Sequence, residues 1–359
     1  MRKILIITSA LVLSLSMSCQ KDAASKKGTL SQANVTATAK SLATDATTTF
    51  AYGSDVSWVT QMEASNISFY NSSGTKEDLF AILQGLDINA IRLRVWVNPT
   101  SGWCNITDVV AKAKRAAADG MSILIDFHYS DTWADPGDQV KPAAWTSLST
   151  SALITEVNTY TTSALNTLKS NGITPTWVQV GNETSNGMLF NDGEASLSTT
   201  NFTNFANMVL NGYNAVKAVF PSAKVVVHIA NGYDDTTAEW IFDGLKKYGA
   251  KWDVCGFSLY PSTTNWSTYN TECLATMNDM VSRYGKQVMI CEAGMSVSAA
   301  STCESFLSDL ITKTKAVSGS NGLGVFYWEP ESYNSWQGYT MGAFGTNGEP
   351  TVAMNAFAH

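Results

Sequence analysis

The chain has 359 residues, 45% of them hydrophobic, enough for one large domain or two ordinary ones around a sizeable core. Its formal charge of −7 argues against nucleic acid, whose binders show a basic face, and suits an acidic polysaccharide equally badly. Eleven Trp and thirteen Tyr suggest neutral sugars, whose C–H faces pack on aromatic planes, although most of these rings are expected in the core.

Arg2-Lys3 followed by Ile4 to Leu15 reads as a basic n-region and an apolar h-region, too short to span a bilayer. The next residues, Leu15-Ser16-Met17-Ser18-Cys19, resemble a bacterial lipobox. Residues 1–18 are therefore expected to be a lipoprotein signal peptide, with a lipid anchor on Cys19 tethering the protein to the outer membrane or cell surface. Plain secretion with cleavage nearby is the alternative. Residues 19–49 are rich in Ser, Thr, Ala and Lys without an apolar period and read as a flexible tether.

From Phe50 onward strands and helices alternate. Strands are expected at Tyr52–Trp58, Ala90–Val97, Ser122–Tyr129, Thr176–Gly181, Lys224–Ala230, Trp252–Leu259, Gln287–Cys291 and Gly324–Trp328. Helices are expected between them at Lys76–Leu86, Ile106–Asp119, Leu153–Ser170, Asn201–Phe220, Thr237–Lys247, Thr271–Tyr284 and Ser301–Lys315, with a last short helix from Pro350. Eight such strands over about 300 residues indicate a single (β/α)₈ TIM barrel, residues 50–359, with no internal linker. A doubly wound sheet is the runner-up, but Gly53-Ser54-Asp55 after the first strand lacks its phosphate-binding glycines.

A barrel places its chemistry at the C-terminal ends of its strands, and the unusual polar residues of this chain fall there. They are Arg92, Arg94, Trp96 and Asn98 on the second strand, Asp126, His128 and Asp131 on the third, and Asn182-Glu183 on the fourth. His228, Tyr260, Glu292 and Trp328-Glu329 follow on the fifth to eighth. Two apolar runs, Val178 to Glu183 and Val288 to Glu292, each end in a glutamate, which is costly unless the strand opens onto a polar site. Such a pair is the carboxylate arrangement of glycoside hydrolysis, one acid/base and one nucleophile. Five cysteines follow Cys19, so at least one thiol is free. Cys255 and Cys291 read as buried thiols, while Cys273 and Cys303, in or near loops, are candidates to pair.

The strings Arg92-Leu93-Arg94-Val95-Trp96-Val97-Asn98-Pro99, the twelve residues Asp126 to Gly137, Val178 to Glu183, Gly187-Met188-Leu189 and Tyr327-Trp328-Glu329-Pro330 resemble family-53 glycoside hydrolases, the arabinogalactan endo-β-1,4-galactanases. The resemblance runs from about Gly53 to the C-terminus. It implies a retaining endo-hydrolase of pectic β-1,4-galactan, with Glu183 as acid/base and Glu292 as nucleophile. It also places Asn182 on the sugar 2-hydroxyl. Between Arg92 and Arg94, Arg94 is preferred as the cation that holds the nucleophile ionised, because it lies nearer the C-terminal end of its strand. Tyr260 is expected to donate to the nucleophile, Trp96 and Trp328 to carry sugar rings, and His128 and Asp131 to bind hydroxyls or brace strand ends. The chain departs from the family at Leu259-Tyr260-Pro261, which keeps one of two tyrosines, and at Ala293-Gly294-Met295-Ser296, which replaces a more aromatic stretch. No calcium-loop pattern appears, so no metal and no cofactor are expected, and the protein is expected to act as a monomer. The alternatives are a mannan, xylan or β-glucan hydrolase on the same barrel, or a glycan-binding lipoprotein without activity.

Overall fold

A computed structural model describes residues 49–359. The expected signal peptide, the Cys19 anchor and all of the tether but Thr49 lie outside the described residues. The described residues form a closed barrel of eight parallel strands: β1 Ala51–Asp55, β2 Ala90–Val95, β3 Ser122–Phe127, β4 Trp177–Val180, β5 Lys224–Ile229, β6 Val254–Leu259, β7 Gln287–Ala293 and β8 Gly322–Trp328. Each strand pairs with its neighbours in sequence, and β8 closes on β1 through Ala51 opposite Gly324.

The helices are α1 Val59–Ala64, α2 Leu79–Gly85, α3 Ile106–Ala118, α4 Thr150–Ser170, α5 Thr199–Val219, α6 Asp235–Lys247, α7 Trp266–Tyr284 and α8 Ala300–Lys315. Five start on a side chain that accepts from a backbone amide two or three residues on: Asp78, Asn105, Ser149, Ser198 and Asp234. These caps explain why α4 begins three residues, and α5 and α6 two residues, before their apolar periodicity. The segment after Pro350 forms a 3₁₀ helix, Val352–Phe357, packed on α8.

Alternation along each strand divides the core in two. On β2, Ile91, Leu93 and Val95 face outward and meet helix residues such as Val109 and Ala113 of α3, in one large buried cluster. Ala90, Leu124, Trp177, Val226 and Phe326 face inward and fill the barrel floor. The fit is close: a Cβ on Gly53 would lie 2.2 Å from the Phe326 ring, and one on Gly256 would lie 2.6 Å from Cys291 Sγ. All five cysteines among the described residues are buried free thiols; Cys273 and Cys303, the candidates to pair, lie within α7 and α8 and are not bonded.

Strands β1 to β3 stop two or three residues short of their expected ends because the apolar run continues into the mouth. Trp58 already has helical backbone at the start of α1, and Tyr129 turns to φ +51°. Glu183, Asn231 and Glu329, just past β4, β5 and β8, also have positive φ. Each such non-glycine turn stores roughly 1–3 kcal/mol of strain, and all four lie just past the C-terminal ends of strands.

Candidate active site

At the C-terminal ends of the strands lies a cavity of about 510 Å³ whose wall includes Glu183, Glu292, Asn182, His128, Tyr260 and Trp328. Glu292 arrives there through a bulge. Phe257 of β6 pairs with Ile290 of β7, but the next residue, Ser258, pairs with Glu292, so Cys291 is the extra residue. Plain alternation would have sent Glu292 outward, since Met289 and Cys291 belong to the inner cluster. The bulge turns the carboxyl into the mouth.

Beneath the cavity the fully buried Arg92 joins four strands. Its Nη1 contacts Asp55 Oδ2 at 2.7 Å and Glu292 Oε1 at 2.9 Å. Its Nη2 donates to Asp126 Oδ2 at 2.9 Å and to Asn182 Oδ1 at 2.9 Å, and Gln179 Oε1 accepts at 3.2 Å. One guanidinium thus faces three buried carboxylates, which is why it is held fully charged. Burial alone would raise Asp126, but Arg92 and then His128 outweigh it and hold the carboxyl below its ordinary range.

The two glutamates differ in their surroundings. Burial and then the Glu292 charge push Glu183 up to about 8, with Asp135 adding to the effect. Burial also raises Glu292, but Arg92 and the Tyr260 hydroxyl, which donates to Oε2 at 2.8 Å, oppose that rise. Among the described residues Glu183 has no salt-bridge partner, whereas Glu292 has one. Glu183 therefore keeps its proton at pH 7, while Arg92 favours the charged form of Glu292.

Arg94 does not reach Glu292. It pairs instead with Glu329 past the end of β8, and its guanidinium carbon lies 4.5 Å from the Trp133 ring centroid and 5.2 Å from those of Trp58 and Trp96. The expected roles of the two arginines are therefore exchanged: alternation set both inward, but the bulge brings Glu292 to the depth of Arg92. Of the two roles expected of Asp131, binding hydroxyls or bracing, its contacts are those of a brace. Its two carboxylate oxygens accept from the backbone amides of Asn98 at 2.8 Å and Ala143 at 2.9 Å, bracing the loops after β2 and β3. Trp96 donates from Nε1 to His128 Nδ1 at 3.2 Å and lines an adjoining hollow of about 460 Å³ rather than the main cavity. His128 in turn lies 3.0 Å from Asp126 through Nε2.

Several residues beyond those expected also shape the site. Trp133 and Tyr339 stand on the boundary, lining both the main cavity and the adjoining hollow. Trp133 and Asp135 lie inside the twelve-residue string after β3, so a signal was present. Gln179 sits at an inward position two residues before Gly181 and bridges Asp126 and Asn182. Tyr339 and Met341 come from the segment after β8, where no periodicity or motif marks them. On the outer surface Asp235, Glu239 and Asp279 bring ligand atoms within 4.8 Å of one another, but the Arg283 guanidinium pairs with Glu239 and Asp279.

A closed (β/α)₈ barrel whose mouth presents two unlike carboxyls between aromatic walls has the construction of a sugar-hydrolysing enzyme. The model of glycosyl hydrolase family 53 matches residues 51–305 and 298–357, and the chain belongs to that family. It is 34% identical over 299 residues to an arabinogalactan endo-beta-1,4-galactanase of Thermothelomyces thermophilus, covering 77% of this chain and 88% of the relative. A solved structure of fungal beta-1,4-galactanases superimposes with a TM-score of 0.78 at 30% identity, covering 86% of this chain and 99% of the other. The Ignisphaera aggregans GH53 catalytic domain superimposes with a TM-score of 0.77 at 28% identity, covering 86% and 95%.

Proposed function

We propose that the protein is an endo-β-1,4-galactanase that cleaves internal β-1,4-galactosidic bonds of type I arabinogalactan with retention, through a covalent glycosyl-enzyme. The observation that carries the reading is the pairing of Glu183 and Glu292 in one aromatic-walled cavity, one pushed up to about 8 and the other held by Arg92 and Tyr260. The galactanase names of its relatives support the substrate. The two hollows adjoin through Trp133 and Tyr339, which suits attack within a chain.

In this mechanism Glu292 attacks the anomeric carbon while Glu183 passes its proton to the departing glycosidic oxygen. Glu183, now a carboxylate, then takes a proton from the water that attacks the glycosyl-enzyme, and Glu292 is released. Asn182 accepts from Arg92 and Gln179 through Oδ1 and donates to the Ala134 carbonyl at 2.9 Å, so its second Nδ2 hydrogen remains for the sugar 2-hydroxyl. Trp328 supplies an apolar wall for the reacting ring. We also propose that Cys19 carries the lipid anchor, which metabolic labelling with a fatty acid tests, with loss of label in Cys19→Ala.

The functional test is reducing-sugar release from linear galactan, mannan, xylan and mixed-linkage glucan by protein starting near Thr29. Short oligosaccharides from galactan alone are expected. Release from another glycan overturns the substrate, and inactivity on all four overturns the enzyme reading.

A further inference from the structure

The face of the barrel opposite the mouth is built from the first residues of the strands, the last turns of the helices and the loops between them. Although the chain carries a formal charge of −7, this face is basic over the sector of β5, β6 and β7. The sector holds Lys217 near the end of α5, Lys224 opening β5, Lys246 and Lys247 ending α6, Lys251 before β6 and Lys286 before β7. Its carboxylates are already engaged. Asp253 Oδ2 lies 2.8 Å from Lys217 Nζ, while Asp243 accepts from the Tyr284 hydroxyl at 2.8 Å and lies 3.7 Å from Arg283 Nη1. Lys246, Lys247, Lys251 and Lys286 have no carboxylate partner among the described residues. Asp87 and Asp119 stand on the same face but across the barrel, before β2 and β3. Lys246, Lys251 and Lys286 border a hollow of about 250 Å³ whose aromatic walls are Tyr213, Trp252 and Tyr284. Lys246 Nζ lies 5.4 Å from the Tyr284 ring centroid, and Lys286 Nζ lies 5.8 Å from that of Trp252. Like charges gathered in this way repel one another, and an anion from outside the chain relieves that repulsion.

The described chain enters the barrel on this same face. Strand β1 begins at Ala51, and Lys315 at the end of α8 stands 5.1 Å and 4.7 Å from the ring centroids of Phe50 and Tyr52. At about 3.5 Å per residue, the stretch from Cys19 to Phe50 reaches no further than roughly 100 Å. An anchor on Cys19 thus keeps the barrel near a membrane without orienting it. We infer that the lysine face supplies the orientation: it docks on the anionic headgroups of the bilayer that holds the anchor, and so turns the mouth away from the membrane towards polysaccharide. The choice of occupant rests on the Cys19 anchor proposed above and is independent of the galactanase reading. Charge complementarity carries it, since each lysine close to an anionic bilayer strengthens binding about fivefold. The attraction fades within a Debye length of about 10 Å. The strands rise roughly 20 Å from this face to the mouth, so the acidic mouth lies beyond the repulsion of the headgroups.

The test is cosedimentation with vesicles of unanchored protein starting near Thr29, which contains the whole barrel. One set of vesicles is phosphatidylcholine alone, and the other is equal parts phosphatidylcholine and phosphatidylglycerol. Binding to the anionic set alone is expected, weakening as salt is raised. Lys246→Gln with Lys251→Gln is expected to weaken it about tenfold or more. Lys76→Gln with Lys141→Gln, which removes equal charge from the mouth side, is expected to leave it near that of the parent. Absent binding, equal binding to neutral vesicles, binding unmoved by salt, or equal weakening by the two pairs overturns the inference. If the Lys246 and Lys251 pair does not fold, the comparison of vesicles and the salt series on the parent still decide. Vesicle binding is measured without the anchor, so a Cys19 that takes no fatty-acid label fails the anchor reading separately.

Discussion

Arg92 Nη1 lies 2.9 Å from Glu292 Oε1, and the same guanidinium also holds Asp55 and Asp126. Three carboxylates thus depend on one buried cation. Arg92→Met should leave them uncompensated and cost about 3–5 kcal/mol of stability, besides abolishing turnover. Arg94→Met removes the partner of Glu329 only, and is expected to destabilise the fold while leaving measurable turnover. Unfolding curves and galactan assays on the two variants check this; equal losses of activity would contradict the division of roles.

Glu292→Ala should lower kcat on galactan by about 10⁴-fold or more, since the nucleophile has no substitute in the cavity. Oligosaccharide binding should persist, because the aromatic walls and Asn182 remain. Calorimetric titration with galacto-oligosaccharides measures the second half of that expectation.

Glu183→Ala should depend on the leaving group. Natural galactan needs the proton and should lose about 10²–10⁴-fold, whereas an aryl galactoside with an activated leaving group should lose much less in the first step. Similar losses on both substrates would show that Glu183 does not donate to the leaving oxygen.

The pH dependence of activity and of stability follows from the same groups. Galactan hydrolysis should fall as pH rises through about 8, where Glu183 loses the proton it must donate. Glu183, Glu329 and Glu331 all have folded-state values raised by burial, so the folded protein binds more protons than the unfolded chain above the ordinary carboxylate value. Their contribution is complete below about 4.5 and is lost as pH rises through their folded values. Asp126, held low, acts oppositely, and its contribution is lost as pH falls below its unfolded value near 3.8. The thermal midpoint should therefore peak at mildly acidic pH, and Glu183→Gln should flatten the decline towards pH 8.

Trp133 borders both hollows and packs over the Arg94 guanidinium. Trp133→Ala should raise KM for long galactan by about tenfold, roughly 1.4 kcal/mol, with a smaller change for a single-sugar aryl glycoside. An equal change on both would place the ring at the reacting sugar alone.

The alternation of apolar runs and helical segments was enough to determine an eight-stranded barrel, because each strand and helix carries its own period. The same rule put Glu183, Glu292, Asn182, His128, Tyr260 and Trp328 at one mouth, since strand ends in a parallel barrel share a face. What alternation could not reveal was the extra residue at Cys291. A bulge is a property of pairing between β6 and β7 and leaves no mark on either strand alone, so only the tertiary structure decided that Arg92, and not Arg94, meets Glu292. Asp131, Trp133 and Tyr339 were settled the same way. They stand on loops without a period, where position follows from hydrogen bonds and packing to distant segments.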